Sequence, residues 1–145
     1  MARRCARDAA MKLLYEHSMG GSGSGTLDEL ITETIGEQID DVDLLYIDKI
    51  TQGVAEKQQE IDGLIDSFAI DWSTGRMSRV DMAILRLAIF EMLYCDEIPV
   101  NVSVSEAVEL AKVYGSEKSP AFINGILGSF ARKQHAGEAG EGEQA

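Results

Sequence analysis

Val80-Asp81-Met82-Ala83-Ile84-Leu85-Arg86-Leu87-Ala88-Ile89-Phe90-Glu91-Met92-Leu93-Tyr94 would place apolar side chains around nearly the whole circumference of a helix. A surface helix shows one apolar stripe, whereas a helix apolar on all sides belongs at the centre of a bundle. The stretch falls short of the ~20 apolar residues that span a bilayer, and Asp81, Arg86 and Glu91 interrupt it. It therefore reads as a core helix. Unpaired charge is costly to bury, so Arg86 and Glu91 must be paired. Their five-residue separation puts them off a common face, so each is expected to pair with some other group. Ser78 is the expected cap of this helix.

Toward the C-terminus, Ile98-Pro99-Val100 is an extended link. Ser103-Val104-Ser105-Glu106 has the form of a capping box, and Ala107, Val108, Leu110, Ala111 and Tyr114 follow at helical spacing. Gly115 is expected to end that helix in a left-handed cap. Ser119-Pro120 supplies a cap residue and then proline at the first helical position, ahead of a core face of Phe122, Ile123, Ile126, Leu127 and Phe130. From His135 onward Gly, Ala, Glu and Gln dominate, a composition expected to be disordered. Residues 1–134 thus form one helical domain and residues 135–145 an acidic Gly/Glu tail.

Toward the N-terminus, Asp40 and Asp41 announce a helix with Val42, Leu45, Tyr46, Lys49 and Ile50 on its inner stripe and Asp43, Asp48, Glu56 and Glu60 mostly outside. Ile61, Leu64, Ile65 and Phe68 continue the pattern as a separate helix after a bend. Trp72 lies in the following connection. Thr26-Leu27-Asp28-Glu29 opens a shorter helix through another capping box, and Gly20-Gly21-Ser22-Gly23-Ser24-Gly25 is a flexible linker by composition. Before it, residues 2–18 place Ala6, Ala10, Leu13, Leu14 and His17 at core-facing spacing. No alternating strand pattern and no long internal repeat occurs. The fold class is all-α.

A chain of 145 residues with 45% apolar residues is long enough for one core without covalent staples. Cys5 and Cys95 form no C-x-x-C pair, and two free thiols fit a reducing cytosol better than a bridge. No apolar h-region follows the basic start, so no secretory leader is expected and a cytoplasmic location is.

The net charge of −12 opposes general nucleic-acid binding. Its distribution does not. Residues 1–12 hold Arg3, Arg4, Arg7 and Lys12 against Asp8 alone, while residues 26–62 hold eleven acids against Lys49 and Lys57. Arg4, Arg7, Met11 and Tyr15 fall within roughly an 80° stripe of helix, and Arg3 flanks it. Guanidinium groups grip phosphate in bidentate fashion and aromatic rings stack on unpaired bases, so this end suits single-stranded RNA. The competing reading is a solvated first turn with Tyr15 turned into the core. Phe122 divides in the same way. It lies just inside a helix N-terminus, where backbone N–H groups favour phosphate and Lys118 stands nearby, yet its spacing is that of a core residue.

Catalytic and metal chemistry find no support. His17 and His135 are far apart, and Asp40-Asp41-Val42-Asp43 lacks the glycine and terminal glutamate of a calcium loop. No nucleophile elbow or phosphate-cradling G-K-[ST] occurs. Neither an enzyme activity, a metal nor a cofactor is expected.

Arg4-Cys5-Ala6-Arg7-Asp8-Ala9 with Leu14-Tyr15, the central stretch from Val80 to Glu91, Ile98-Pro99 with Val104 to Lys112, and Phe122-Ile123-Asn124-Gly125-Ile126-Leu127 together resemble the NusB family of bacterial transcription antitermination factors. The blocks occur in the family's order and span residues 3 to about 130. The resemblance implies a compact bundle of about seven helices in two packed sub-bundles. It implies binding to the single-stranded boxA element of ribosomal RNA leader transcripts, jointly with the ribosomal protein NusE, within the transcription elongation complex. No reaction is catalysed, and no membrane is involved. Matched residue by residue, it points to Arg3, Arg4, Arg7 and Tyr15 as RNA contacts, and to Lys118 and Phe122. The Gly-Ser linker and the short arginine run depart from the family pattern and assign much of the affinity to NusE, with its surface expected at the central helix. A helical protein-protein adaptor, or a homodimer without direct RNA binding, is the reading of a different class. The related domain fused to RNA cytosine methyltransferases would call for a cofactor-binding glycine loop, which the Glu-Gly tail does not supply.

Overall fold

A computed structural model of the chain describes residues 4–20, 39–69 and 77–144, with side chains as far as residue 134. Among these residues there are five helices and no strand: α1 (Arg4–Ser18), α2 (Asp41–Phe68), α3 (Arg79–Tyr94), α4 (Val100–Tyr114) and α5 (Ser119–Gln144). The count is below seven for two reasons. The expected helix after Thr26 lies outside the described residues, as does Trp72, and the two helices expected over 41–68 join through a kink at Lys57 (φ −109°, ψ 15°). The backbone of α5 stays helical to Gln144, into the stretch read from composition as a tail.

The all-apolar stretch is the hub. α3 packs against α1, α2, α4 and α5, and α1 and α2 also pack together on one side of it, as α4 and α5 do on another. Ten of its residues are buried, from Asp81 to Met92. Ser78 caps it as expected, its hydroxyl accepting the Asp81 N–H at 3.0 Å. Arg86 finds Asp62 on α2, with Nε–H and Nη2–H donated at 2.8 and 3.0 Å. Among the described residues no helix is long and apolar enough to cross a membrane.

Several local expectations change. On α2 the inner face carries Asp43, Ile47, Ile50, Val54, Ile61 and Ile65, while Val42 and Leu45 are each 70% exposed. Asp43 is inside because it completes a reciprocal capping box: its N–H reaches Asp40 at 2.8 Å and its carboxylate accepts the Asp40 N–H at 3.2 Å. On α4 the helix starts four residues earlier than the Ser103 box implies, with Pro99 as its cap, so Ser103 is interior. Gly115 is extended (φ −91°, ψ −173°), not left-handed. A Cβ there would strike Ser119 and the Ala111 carbonyl, so glycine is retained for close approach. Ser119 turns inward to accept the Ser116 N–H at 2.9 Å. His17 is exposed, not core-facing.

Both cysteines are free thiols, Cys5 half-buried and Cys95 buried. Burial raises the Cys95 thiol above its ordinary range, and thiolate is the reactive form. A thiol reagent at pH 8 is expected to label Cys5 in the native chain and Cys95 only after denaturant is added. Equal rates for the two would show that α3 opens readily at its C-terminus.

Candidate nucleic-acid interface

Helix α1 buries Ala6, Arg7, Ala9, Ala10, Met11, Leu13 and Leu14. Three alanines on that face let its backbone come close to α3, and the arrangement divides the N-terminal arginines. Arg3 lies outside the described residues. Arg4 begins the helix with its side chain 74% exposed. Arg7, expected at the surface, is a correction: its side chain is 2% exposed and it meets Glu91, which is 0% exposed. Its position explains this, since Ala10, Met11 and Leu14 follow Arg7 at spacings of three, four and seven and all face the core.

Glu91 gathers donors from every side. Arg7 donates from Nε at 3.0 Å and from Nη2 at 3.3 Å, and the Ser103 hydroxyl donates at 2.8 Å. The Tyr46 hydroxyl donates to the same carboxylate. Thus α1, α2, α3 and α4 meet at one buried group. Burial is the largest single influence and by itself would lower the Arg7 pKa, but the charge and hydrogen bond of Glu91, with Tyr46 and Glu106, together outweigh it and the result is raised. Burial, then Glu91, raises the Tyr46 hydroxyl, which stays a proton donor. Arg7 is fixed by folding and offers no guanidinium to phosphate.

The surface beside it is built from α1 and α4. Arg4 Nε–H donates to both Glu106 oxygens, at 3.2 and 3.1 Å. Further along α1, Lys12 pairs with Asp8 at 3.2 Å and lies over the Tyr114 ring at 4.8 Å from its centroid. A shallow groove of about 130 Å³ runs between these helices, edged by Arg4, Asp8, Glu106, Val113 and Tyr114. Tyr114 then leads through Gly115 into the turn that carries Lys118, which is exposed. Arg4 and Lys12 therefore stand along the seam of α1 and α4, and Lys118 follows Tyr114 by four residues. Sequence pattern alone does not mark Lys12 and Tyr114 as a pair. The Asp8–Lys12 spacing is visible, but the α4 ring beneath Lys12 comes from packing between distant segments.

Tyr15 is half-buried against the core, with its carbonyl accepting the Ser18 hydroxyl at 2.6 Å. It lies eleven residues from Arg4, about 16 Å along the helix axis. Phe122 is 9% exposed and belongs to the core cluster, while its N–H bonds the Lys118 carbonyl at 3.1 Å. Its core reading is the one the packing favours. The described residues contain no cluster of three or more His, Cys, Asp or Glu side chains placed to hold a metal ion.

Comparison with known proteins agrees with this architecture. The family model described as the NusB family matches residues 4–132. The transcription antitermination protein NusB of Acetivibrio thermocellus is 44% identical over 133 residues, covering 91% of this chain and 90% of that protein. Its counterpart from Geobacter sulfurreducens is 42% identical over 130 residues, covering 90% and 94%. Among solved structures, T. maritima NusB superposes with a TM-score of 0.76 at 35% identity, covering 91% of this chain and 93% of the other. A chain from the crystal structure of the antitermination factors NusB and NusE in complex with dsRNA gives 0.77 at 26% identity, covering 90% and 96%. The five helices of the described residues, packed around α3, and a match over residues 4–132 lead to one assignment: the chain belongs to the NusB family.

Proposed function

We propose that this chain is a cytoplasmic, non-enzymatic transcription antitermination factor that binds single-stranded boxA RNA of ribosomal RNA leader transcripts together with NusE, within the elongation complex. The observation that carries the reading is the exposed Arg4 at the start of α1, at the basic end of a chain whose net charge is −12. Arg4 and Lys118, with Arg3 ahead of them, supply phosphate contacts. Lys12 over Tyr114 supplies a cation and a ring along the seam of α1 and α4. Arg7 contributes indirectly, by docking the α1 terminus onto α3. The names of the relatives support the functional class, and the solved NusB–NusE–dsRNA complex supports the kinds of partner.

The test is binding of boxA and scrambled RNAs with and without NusE. With about three phosphates neutralised, log K for single-stranded RNA is expected to fall with a slope of about −2 against log salt. A slope near zero would remove the phosphate contacts from the account. NusE is expected to tighten binding to boxA more than to the scrambled RNA.

The adaptor reading has one observation in its favour, the exposure of Val42 and Leu45 on α2 beside a groove lined by Tyr46, Lys49, Glu97 and Ile98. Charge reversal at Arg3 and Arg4 discriminates. RNA binding collapses on the RNA reading, whereas binding to a protein partner alone persists on the adaptor reading. Arg7 is unsuitable for this experiment, because its reversal would set a carboxylate against Glu91.

A further inference from the structure

We propose that Glu106 limits the RNA affinity of this chain by occupying Arg4, a built-in competitor for the phosphate. The inference rests on the RNA reading above and assigns a residue that opposes binding. Arg4 and Glu106 are 102 positions apart, so their pairing is a product of the fold and not of helical spacing. Both carboxylate oxygens of Glu106 engage Arg4 Nε, at 3.1 and 3.2 Å. The two partners are unequally held. Glu106 is 18% exposed and stands 3.9 Å from Nη1 of the buried Arg7, whereas Arg4 is 74% exposed. Glu106 is the fixed member and Arg4 the movable one.

A phosphate arriving at Arg4 must either share the guanidinium with this carboxylate or displace it. Sharing brings two anions close together, and displacement strips Glu106 of a cationic neighbour. Both weaken the contact for any RNA, whatever its sequence, because phosphates carry no base information. Glu106 thereby trims the sequence-independent part of binding and leaves a larger share of recognition to base contacts and to a partner protein. An exposed ion pair of this kind is weak, so the restraint is a matter of a few-fold.

The experiment compares the full chain with Glu106→Gln, Arg4→Ala and the double variant, by fluorescence anisotropy with labelled boxA and scrambled single-stranded RNA across a salt series. Glu106→Gln is expected to tighten both RNAs by about three- to fivefold, the equilibrium equivalent of an exposed ion pair. Its salt slope should stay near the parent's value of about −2, since Arg4 already counts among the phosphate contacts and only their strength changes. With Arg4 already replaced by alanine, the same substitution should change affinity by less than about 1.5-fold, since the pair is absent. A gain in affinity cannot arise from misfolding. Equal gains in the two backgrounds would mean that Glu106 acts only as general negative charge, and no gain would mean it does not compete; either overturns the proposal. If Arg4→Ala matches the parent in affinity and slope, the phosphate contact itself falls, which is a different failure.

Discussion

Replacing Glu91 with alanine is expected to lower the unfolding free energy by about 3–5 kcal/mol, the cost of leaving a buried charge without its partner. Arg7 is 2% exposed and would keep its charge beside a cavity, with the Glu106 carboxylate 3.9 Å from its Nη1 as a distant substitute. The Tyr46 and Ser103 hydroxyls would lose the acceptor they share, and each buried hydroxyl left unsatisfied costs about 1–3 kcal/mol more. A domain with only about 5–15 kcal/mol of stability cannot absorb all of that comfortably. Urea unfolding at 25 °C is the measurement. A loss below about 1 kcal/mol would show that water enters and solvates Arg7, so that the four helices do not depend on this group.

The pair should also behave as a unit. Arg7→Met alone strands Glu91, so its cost should approach that of Glu91→Ala. Arg7→Met with Glu91→Leu removes both charges and fills the space with apolar volume, and buried ion pairs replaced in this way are often neutral in stability. The double variant is therefore expected to be more stable than either single variant. That result would separate the energetic role of the pair from its geometric one, because the double variant loses the link that docks the start of α1 beside α4. RNA binding measured on the same protein would then report on docking alone.

The sequence displays one side of this arrangement and hides the other. An apolar helix containing Glu91 and Arg86 demands partners for both, and each has one on another helix: Arg7 on α1 and Asp62 on α2. Which residue answers is a long-range matter that periodicity on one helix does not reveal. For Arg7 the sign was present locally, since Ala10, Met11 and Leu14 stand on its own face. An arginine near a basic terminus reads as a surface residue until its buried acceptor is known. Asp43 repeats the lesson. It precedes Ile47, Ile50 and Val54 at spacings of four, seven and eleven, which places it on the inner face, while Val42 and Leu45 fall outside despite their apolar side chains. Ser103 reads as a cap by motif and serves instead as a donor to Glu91, because Pro99 starts α4 earlier. Arg4 and Lys118 were legible as surface cations. The Glu106 that holds Arg4 and the Tyr114 under Lys12 were not, since both depend on how α1 lies along α4.

Two glycines on α2 should respond to alanine with opposite signs. In a helix interior Gly→Ala ordinarily stabilises by about 1 kcal/mol through backbone entropy and helix propensity. At Gly63 a Cβ meets nothing within 4 Å, and the position is exposed, so Gly63→Ala should show that gain. At Gly53 the same atom would overlap the Phe90 ring at Cζ and Cε2. Phe90 is buried on α3, with Tyr94 beside it at 5.1 Å between centroids, so the ring has little room to withdraw. Overpacking of a tight core costs about 1–3 kcal/mol and at times more, which exceeds the propensity gain. Gly53→Ala should therefore destabilise by about 2 kcal/mol net. The cause can be isolated by shortening the obstacle. Phe90→Leu costs stability in the parent, but it should cost less, or even help, in the Gly53→Ala background, and that sign of coupling marks a steric contact. If Gly53→Ala stabilises as Gly63→Ala does, α2 and α3 are further apart than this packing requires, and the Phe90 ring is free to turn aside.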